Sequence, residues 1–494
     1  MILGKGPSFS RRGDFDLTAY NILALNDAAR IQPVDVAHAI DLQVIERSGE
    51  ALSANARYIV MPWRPHVNLR PSESTLEQIS EENKLLKRLK EEGRLLWYNL
   101  SSAASHRPNS QVVEARYFSA EAGVNLLATS GVRTIRTLGI DGGKNYSASF
   151  ADLNSKSLLA NGRSSFDRQF EEFARTILKT GVDLAPLDIE SPIRIYVATT
   201  EAQMLAVKVL EYSIKKHASM SASVFPLNLS NIEIPEPKEI KNKARTPFSF
   251  QRFLIPELAN RKGRAIYLDS DMLIFRDIKH LWTLPMGDSD LLAVREATGT
   301  VRRPQFSVML LDCEKLDWNI NRIVGALDDG SMAYEDLMYS MCVARKISAG
   351  IDPAWNSLES FSERHTALLH YTDMDTQPWI SPDNPLGYLW FRDLFGAIAC
   401  GFISKDYVED HIAKGYVRPS IRYQMEHGIE DSLLLPRHAR TMDKAFVPAY
   451  VDITNRPSPS FRTLLRKVRA LARAKYHSSG VYRLERKVRN RLSM

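Results

Sequence analysis

The chain of 494 residues predicts an α/β protein, and three observations carry that prediction. Short apolar runs, each closed by a polar residue or a proline, recur through the first 140 residues. Amphipathic or polar helical stretches separate them. Later, a four-residue buried-strand pattern, residues 265–268, runs directly into two aspartates, Asp269 and Asp271. Apolar strands alternating with helices are the pattern of a mostly parallel sheet covered on both faces, and such sheets bind ligands at the carboxyl ends of their strands.

The first strand is the stub Met1–Leu3, followed at once by Gly4-Lys5-Gly6-Pro7-Ser8. Two glycines let backbone amides approach an anion, and Lys5 and Ser8 add a charge and a hydroxyl. The spacing is neither a P-loop nor G-x-G-x-x-G, so a simple turn stands beside the anion-loop reading. Further strands are expected over residues 21–25, ending at Asn26, over 36–40, ending at Asp41, over 58–61 and over 95–98. Residues 74–93 read as one polar helix. Ser119 is a candidate N-cap for a helix that stops at Gly131, and a strand over 134–140 runs into Asp141. His38 reads as a packed strand residue. Residues 166–179 carry Phe166, Phe170, Phe173 and Ile177 at helical spacing, which core packing explains. Residues 180–192 read as a connection.

A second series begins at residue 193. A strand over 193–198 ends at Ala198 and Thr199, a helix follows over 201–217, and a strand is expected over 224–227. Residues 248–258 are helix-like and place Arg252 among aromatics, where it can pair with a carboxylate or a phosphate. Then come Asp269 and Asp271. Residues two apart on a strand point the same way, so both carboxylates can reach one divalent cation. Hard oxygen ligands suit Mg2+ or Mn2+, which share their shells with phosphates. Taken alone, the pair also reads as a solvated turn. Residues 305–312 read as a strand, Glu335 and Asp336 open a helix, and Trp355-Asn356, His370 and Gln377-Pro378-Trp379 follow. Residues 384–395 are rich in aromatics.

Composition narrows the function classes. The net charge of +7 is concentrated at the end. Residues 456–494 hold twelve Lys or Arg and one acid, a net +11 that leaves −4 for the rest. The body is therefore not a nucleic-acid binder by charge. The tail has leucines and valines at helical spacing and can lie on an anionic membrane surface, stand as a solvated helix pair or contact RNA. No apolar run reaches ~18 residues, the length of a membrane-spanning helix. The first residues do not read as a secretory signal. Three widely spaced cysteines suggest neither a disulfide framework nor a thiolate site. The expected location is the cytoplasm, with the tail peripheral on the inner face of the membrane.

Two resemblances join these readings. The Gly4-to-Phe9 loop, Asn26-Asp27-Ala28, Asp41 and residues 122–141 resemble bacterial sialyltransferase-like and Maf-type domains. That resemblance implies a Rossmann-like domain over 1–185, with Gly4, Lys5, Gly6, Pro7, Ser8, Asn26 and Asp141 near a nucleotide. No histidine matches its catalytic base. Residues 193–379 present the ordered motifs of glycosyltransferase family 8: a strand start, an arginine after aromatics, Tyr-Leu-Asp-x-Asp, a strand, an acidic helix start, Trp-Asn, and a histidine followed by Pro-Trp. This implies a GT-A glycosyltransferase domain over 193–400, a helical or irregular extension over 401–455 and a basic tail over 456–494. The fold class is then two Rossmann-like nucleotide-binding domains, the second of GT-A type, plus a basic helical tail.

The family 8 resemblance also implies roles. Asp269, Asp271 and His370 would hold Mn2+ or Mg2+. Ala198, Thr199, Arg252, Gln305 and Gln377 would bind a nucleotide-sugar donor. Glu335, Asp336 and Asn356 would serve the chemistry at the sugar. The acceptor would be a bacterial glycan or glycolipid, the anomeric configuration would be retained, and the chain could be bifunctional. Three positions depart from the family: Gln305 and Ser307 replace Asn-x-Gly, Tyr334-Glu335 replaces Asp-Gln, and Gln377 replaces a lysine. The rival reading is a non-catalytic scaffold of a membrane-associated glycan-assembly complex.

Overall fold

The computed structural model describes residues 1–156, 164–295 and 306–449, without the side chains of 154–156. Tertiary contacts divide the chain into two units. One comprises Met1–Ile193 with Lys215–Ala222, and the other Arg194–Ile214 with Ser223–Met494. The contact boundary thus falls at residue 193, and the 401–449 stretch belongs to the same unit as the 194–400 segments. The expected basic tail over 456–494 lies outside the described residues.

Strands of the first unit are β1 (Ile2–Leu3), β2 (Leu23–Leu25), β3 (Val34–His38), β4 (Ala56–Pro62), β5 (His66–Val67), β6 (Arg70–Pro71), β7 (Leu95–Leu100), β8 (Val112–Val113), β9 (Thr134–Leu138) and β10 (Asp183–Pro186). Eight of them form one parallel sheet in the order β10-β9-β1-β2-β3-β4-β7-β8. The chain moves from β1 outward to β8, then returns to place β9 on the other side of β1. The β1–β9 junction is therefore the switch point of the sheet, where loops diverge and leave a crevice. Burial of both faces explains the apolar runs: Leu3, Ala24, Ala37 and Ile59 pack on one side and Ile2, Leu23 and Ile135 on the other.

Helix Leu42–Asn55 follows β3, and helix Ser119–Thr129 precedes β9. The single helix expected over 74–93 is two helices, Leu76–Glu82 and Lys84–Glu91. Asn83 breaks them, because its side chain accepts from the amides of Leu85 and Leu86 and so caps the second. His38 is buried, stacks on Tyr98 and has Nε2 2.9 Å from the Tyr98 hydroxyl, as a packed strand residue should.

The second unit adds β11 (Ile193–Ala198), β12 (Ala222–Pro226), β13 (Arg264–Asp269), β14 (Met272–Ile274), β15 (Leu291–Val294), β16 (Val308–Asp312), β17 (Ile347–Ile351), β18 (Ser357–Leu358) and β19 (Leu368–His370). Six of these form a mixed sheet in the order β12-β11-β13-β16-β15-β17, and β14-β19-β18 form a small second sheet. Chain direction is parallel for β11 and β13 and antiparallel for β13 and β16. Helix Met204–His217 crosses from β11 to β12. Helix Gly387–Ala399 buries Leu389, Trp390, Phe391 and Leu394, which accounts for the aromatic stretch there as core. Helices Lys405–Ala413 and Ser420–His427 follow it. No helix among the described residues is long and apolar enough to cross a membrane.

Candidate metal and donor site

The second unit places its carboxylates by strand geometry. β13 ends at Asp269, in register with Ala198 at the end of β11. After Ser270 and Asp271 β14 starts, and it pairs with β19 so that Met272 faces His370. The backbone amide of Tyr371 donates to the carbonyl of Asp271 at 2.8 Å, fixing the turn between the two sheets. Ligand atoms of Asp269, Asp271 and His370 consequently all lie within 4.8 Å of one another. His370 Nε2 is 3.0 Å from Asp271 Oδ1 and 4.0 Å from Asp269 Oδ2. Three residues separated by up to 101 positions form one cluster.

Each member is held by a neighbour. Tyr267 lies two residues before Asp269 on the same strand face, and its hydroxyl donates to Asp269 Oδ1 at 2.6 Å. Burial keeps that phenol protonated, with its pKa well above the ordinary value. Arg252 sits 4.0 Å from the same oxygen, over the Tyr267 ring at 4.6 Å, and donates to the carbonyls of Ser249 and Phe306. Asn356 Oδ1 lies 2.9 Å from His370 Nδ1. An amide oxygen only accepts, so Nδ1 carries a proton and Nε2 is turned toward the carboxylates. Gln377, fully buried, donates through Nε2 to Asp271 Oδ2 at 2.9 Å and to the Tyr371 carbonyl at 3.2 Å. Arg418, also fully buried, ties down the next two residues: its Nε donates to the Pro378 carbonyl and its amide to that of Trp379.

The electrostatics call for a cation. Burial raises the Asp269 pKa, and the Asp271 charge adds to that against the pull of Arg252 and His370. Burial alone would lower the His370 pKa, but the charges of Asp271 and Asp269 raise it. Asp271 Oδ1 is buried and, among the described residues, accepts no hydrogen bond of good geometry. Either a proton on His370 Nε2, 3.0 Å from that oxygen, or a cation shared by the carboxylates and the imidazole would satisfy it. Two carboxylates and an imidazole fit a divalent ion such as Mn2+ or Mg2+, and Asn356 and Gln377 are the outer partners that orient such ligands.

The other expected positions divide. Ala198 and Thr199 are fully buried at the end of β11. The Gln251 side chain pins Thr199 by accepting from its amide and donating to its carbonyl, each at 2.9 Å. Gln377 is buried, and its Nε2 is engaged by Asp271 and the Tyr371 carbonyl. Asn356, expected beside the sugar, has its Oδ1 2.9 Å from His370 Nδ1. Glu335 and Asp336 stand exposed in the first turn of helix Tyr334–Ser340, and Glu335 pairs with Arg245 at 2.6 Å. Gln305 lies outside the described residues. Tyr267, Gln251 and Arg418 were missed by sequence reasoning. Only Tyr267 left a signal, its same-face spacing to Asp269.

In the first unit the loops after β1 and β9 interlock. The Gly4 amide donates to the Leu138 carbonyl at 2.8 Å and the Gly6 amide to that of Gly139 at 2.7 Å. A Cβ at Gly4 would sit 2.2 Å from the Gly139 oxygen, and one at Gly6 would sit 2.5 Å from Asp141 Oδ2. The Ser8 amide donates to Asp141 Oδ2 and the Ser8 hydroxyl accepts from the Gly139 amide. The expectation that these glycine amides face an anion is thereby corrected: the glycines permit two loops to touch, and their N–H groups are used in doing so. Asn26 sits at φ +52° with Nδ2 donating to the Ser119 hydroxyl.

Residues 156–334 match the sequence model "Glycosyl transferase family 8", a span that includes Asp269 and Asp271. The C-terminal half of the chain thus resembles that family. Protein CDI of Arabidopsis thaliana is 34% identical over 97 residues, 19% of this chain, and the chain spans 38% of that relative's length. Among solved structures, the glycosyltransferase GlyE of Streptococcus pneumoniae TIGR4 is similar at 18% identity and TM-score 0.31, over 41% of this chain and 60% of that one. The galactosyltransferase LgtC is similar at 14% identity and TM-score 0.33, over 44% of this chain and 99% of that one.

Proposed function

We propose that the second unit is a metal-dependent glycosyltransferase that moves a sugar from a nucleotide-diphosphate donor to a glycan or glycolipid acceptor. The observation that carries this reading is the Asp269–Asp271–His370 cluster, with one buried carboxylate oxygen lacking a hydrogen bond and an imidazole oriented toward it. The match of residues 156–334 to the family 8 sequence model supports it. Asp269, Asp271 and His370 would hold Mn2+ or Mg2+, which would supply positive charge to stabilise the leaving nucleotide.

The chain's own residues supply the rest. Tyr267 and Arg252 fix Asp269, Asn356 sets the histidine tautomer, and Gln377 fixes Asp271 in a position where the family has a lysine. Because Gln377 brings no positive charge, charge compensation at the donor falls more heavily on the metal. Metal removal should therefore abolish turnover rather than dampen it. Retention of configuration, with Glu335, Asp336 and Asn356 serving at the sugar and Ala198, Thr199 and Gln305 at the donor, belongs to the same proposal. So does action on a bacterial surface glycan, with the basic tail on the cytoplasmic face of the membrane.

The first unit would serve as a nucleotide-binding module or second transferase. The test of the whole reading is a donor panel with Mn2+, Mg2+ or a chelator, on wild type and Asp271→Asn. Turnover that needs metal and is lost in the variant is expected. No turnover and no metal-dependent nucleotide binding across the panel would favour the scaffold.

A further inference from the structure

The first unit contains a cavity of about 310 Å³ at the sheet's switch point. Its wall includes Lys5 after β1, Asn26 after β2, Asp41 after β3 and Asp141 after β9, with Arg47 from the helix Leu42–Asn55 and Tyr146. The volume lies at the low end of the ~300–1,000 Å³ of small-molecule sites, the size of a mononucleotide rather than a dinucleotide. What distinguishes the cavity is a pair of cations held on one hidden carboxylate. Asp27 is fully buried and all its acceptor sites are engaged. Oδ2 takes Lys5 Nζ at 3.3 Å and Arg47 Nη2 at 2.8 Å, while Oδ1 takes Arg47 Nε at 3.3 Å and the Ser48 hydroxyl at 2.7 Å.

One negative charge thus fixes two positive ones, and the cations keep side-chain exposures of 13% and 28% where Asp27 has none. Lys5 is further confined by the Tyr146 ring, 4.7 Å from Nζ. The opposing charges on the wall are Asp41 and Asp141. Asp141 is engaged by the Ser8 amide. Burial raises the Asp41 pKa, against the pull of Lys5 and Arg47. The loop amides of Gly4 and Gly6, spent on the neighbouring loop, cannot receive a phosphate.

We propose that Lys5 and Arg47, anchored by Asp27, form the phosphate subsite of this cavity, and that its ligand is a nucleoside monophosphate or the monophosphate portion of a larger nucleotide. Arg47 supplies the planar fork that suits two phosphate oxygens and Lys5 a point charge beside it. Asp41 is placed to accept from hydroxyl groups of the ligand. The inference rests on the reading of the first unit as a nucleotide-binding module, and it adds Arg47 and Asp27 to the Lys5 of the glycine motif.

Titration calorimetry on the full chain tests it, in an Asp271→Asn background with chelator to silence the second unit. The probes are nucleoside 5′-monophosphates, the matching nucleosides and inorganic phosphate. Arg47→Met and Lys5→Met should each weaken the monophosphate at least tenfold and leave the nucleoside within about twofold, and thermal melting identifies any variant that has lost its fold. If monophosphates bind and neither variant discriminates them from nucleosides, the subsite is elsewhere, while the nucleotide-binding reading stands. If the background protein binds none of the probes, that reading falls and the subsite with it.

Discussion

Asp27 and Asp269 occupy equivalent places in the two units, at or just past the carboxyl end of a parallel strand, and both are buried. Their neighbours differ. Asp27 is surrounded by Lys5, Arg47 and Ser48, so burial pushes its pKa up but these partners bring it down to about 2. Asp269 is paired with a second carboxylate, a phenol and an imidazole, with Arg252 no closer than 4.0 Å, and its pKa rises. A buried carboxylate that already has its cations is an anchor. One that faces another carboxylate is short of positive charge and is built to acquire it. Burial of an aspartate at a strand end therefore says little about its task until the charges around it are counted.

That contrast can be broken most sharply at Asp271. Asp271→Asn keeps the shape and removes one ligand charge, and transfer activity with saturating Mn2+ should fall roughly a thousandfold, about 4 kcal/mol of transition-state stabilisation. Thermal melting of the metal-free protein should not drop, because the exchange relieves repulsion between the carboxylates.

The reverse is expected for Asp27→Ala. It leaves Lys5 and Arg47 without their counter-ion and should cost about 3 kcal/mol of first-unit stability in chemical denaturation, with metal-dependent activity of the second unit retained. A smaller effect sharpens the comparison through pH. The folded pKa of Asp27, about 2, lies below the unfolded 3.8. Its contribution is thus fully present above pH 3.8 and disappears as pH falls through 2, about 2 kcal/mol in all. Denaturation curves of wild type and Asp27→Asn should diverge at pH 5 and converge near pH 2.

The smallest expected change is at the outer partners. Gln377→Leu and Asn356→Leu should each weaken metal binding by about 10 to 100-fold, measured by Mn2+ titration, while excess metal restores most activity. If Gln377→Leu instead raised the donor KM alone, with metal affinity unchanged, the glutamine would be a donor-binding group after all.

Much of this architecture was legible in the residues. Apolar runs ending at Asn26, Asp41 and Asp269 marked strands near their ligand-facing ends, because a strand covered on both faces is apolar throughout. The order Tyr-Leu-Asp-x-Asp, Trp-Asn, His and Pro-Trp placed the metal cluster through its resemblance. Residues 74–93 were misread as one helix because Asn83 fits a helical pattern as well as it caps one. Local sequence determined many of the strands and the identity of the carboxylates, but residues 180–192, read as a connection, contain β10, which pairs with β9.

Tertiary structure decided what those groups do, because charge and hydrogen-bond capacity are shared between residues far apart in sequence. The Gly4 and Gly6 amides could serve an anion only if nothing else took them, and β9 and the loop after it, brought beside β1 by the crossover, took both. Gln377 lies 106 residues after Asp271, and only the fold sets its Nε2 2.9 Å from Asp271 Oδ2.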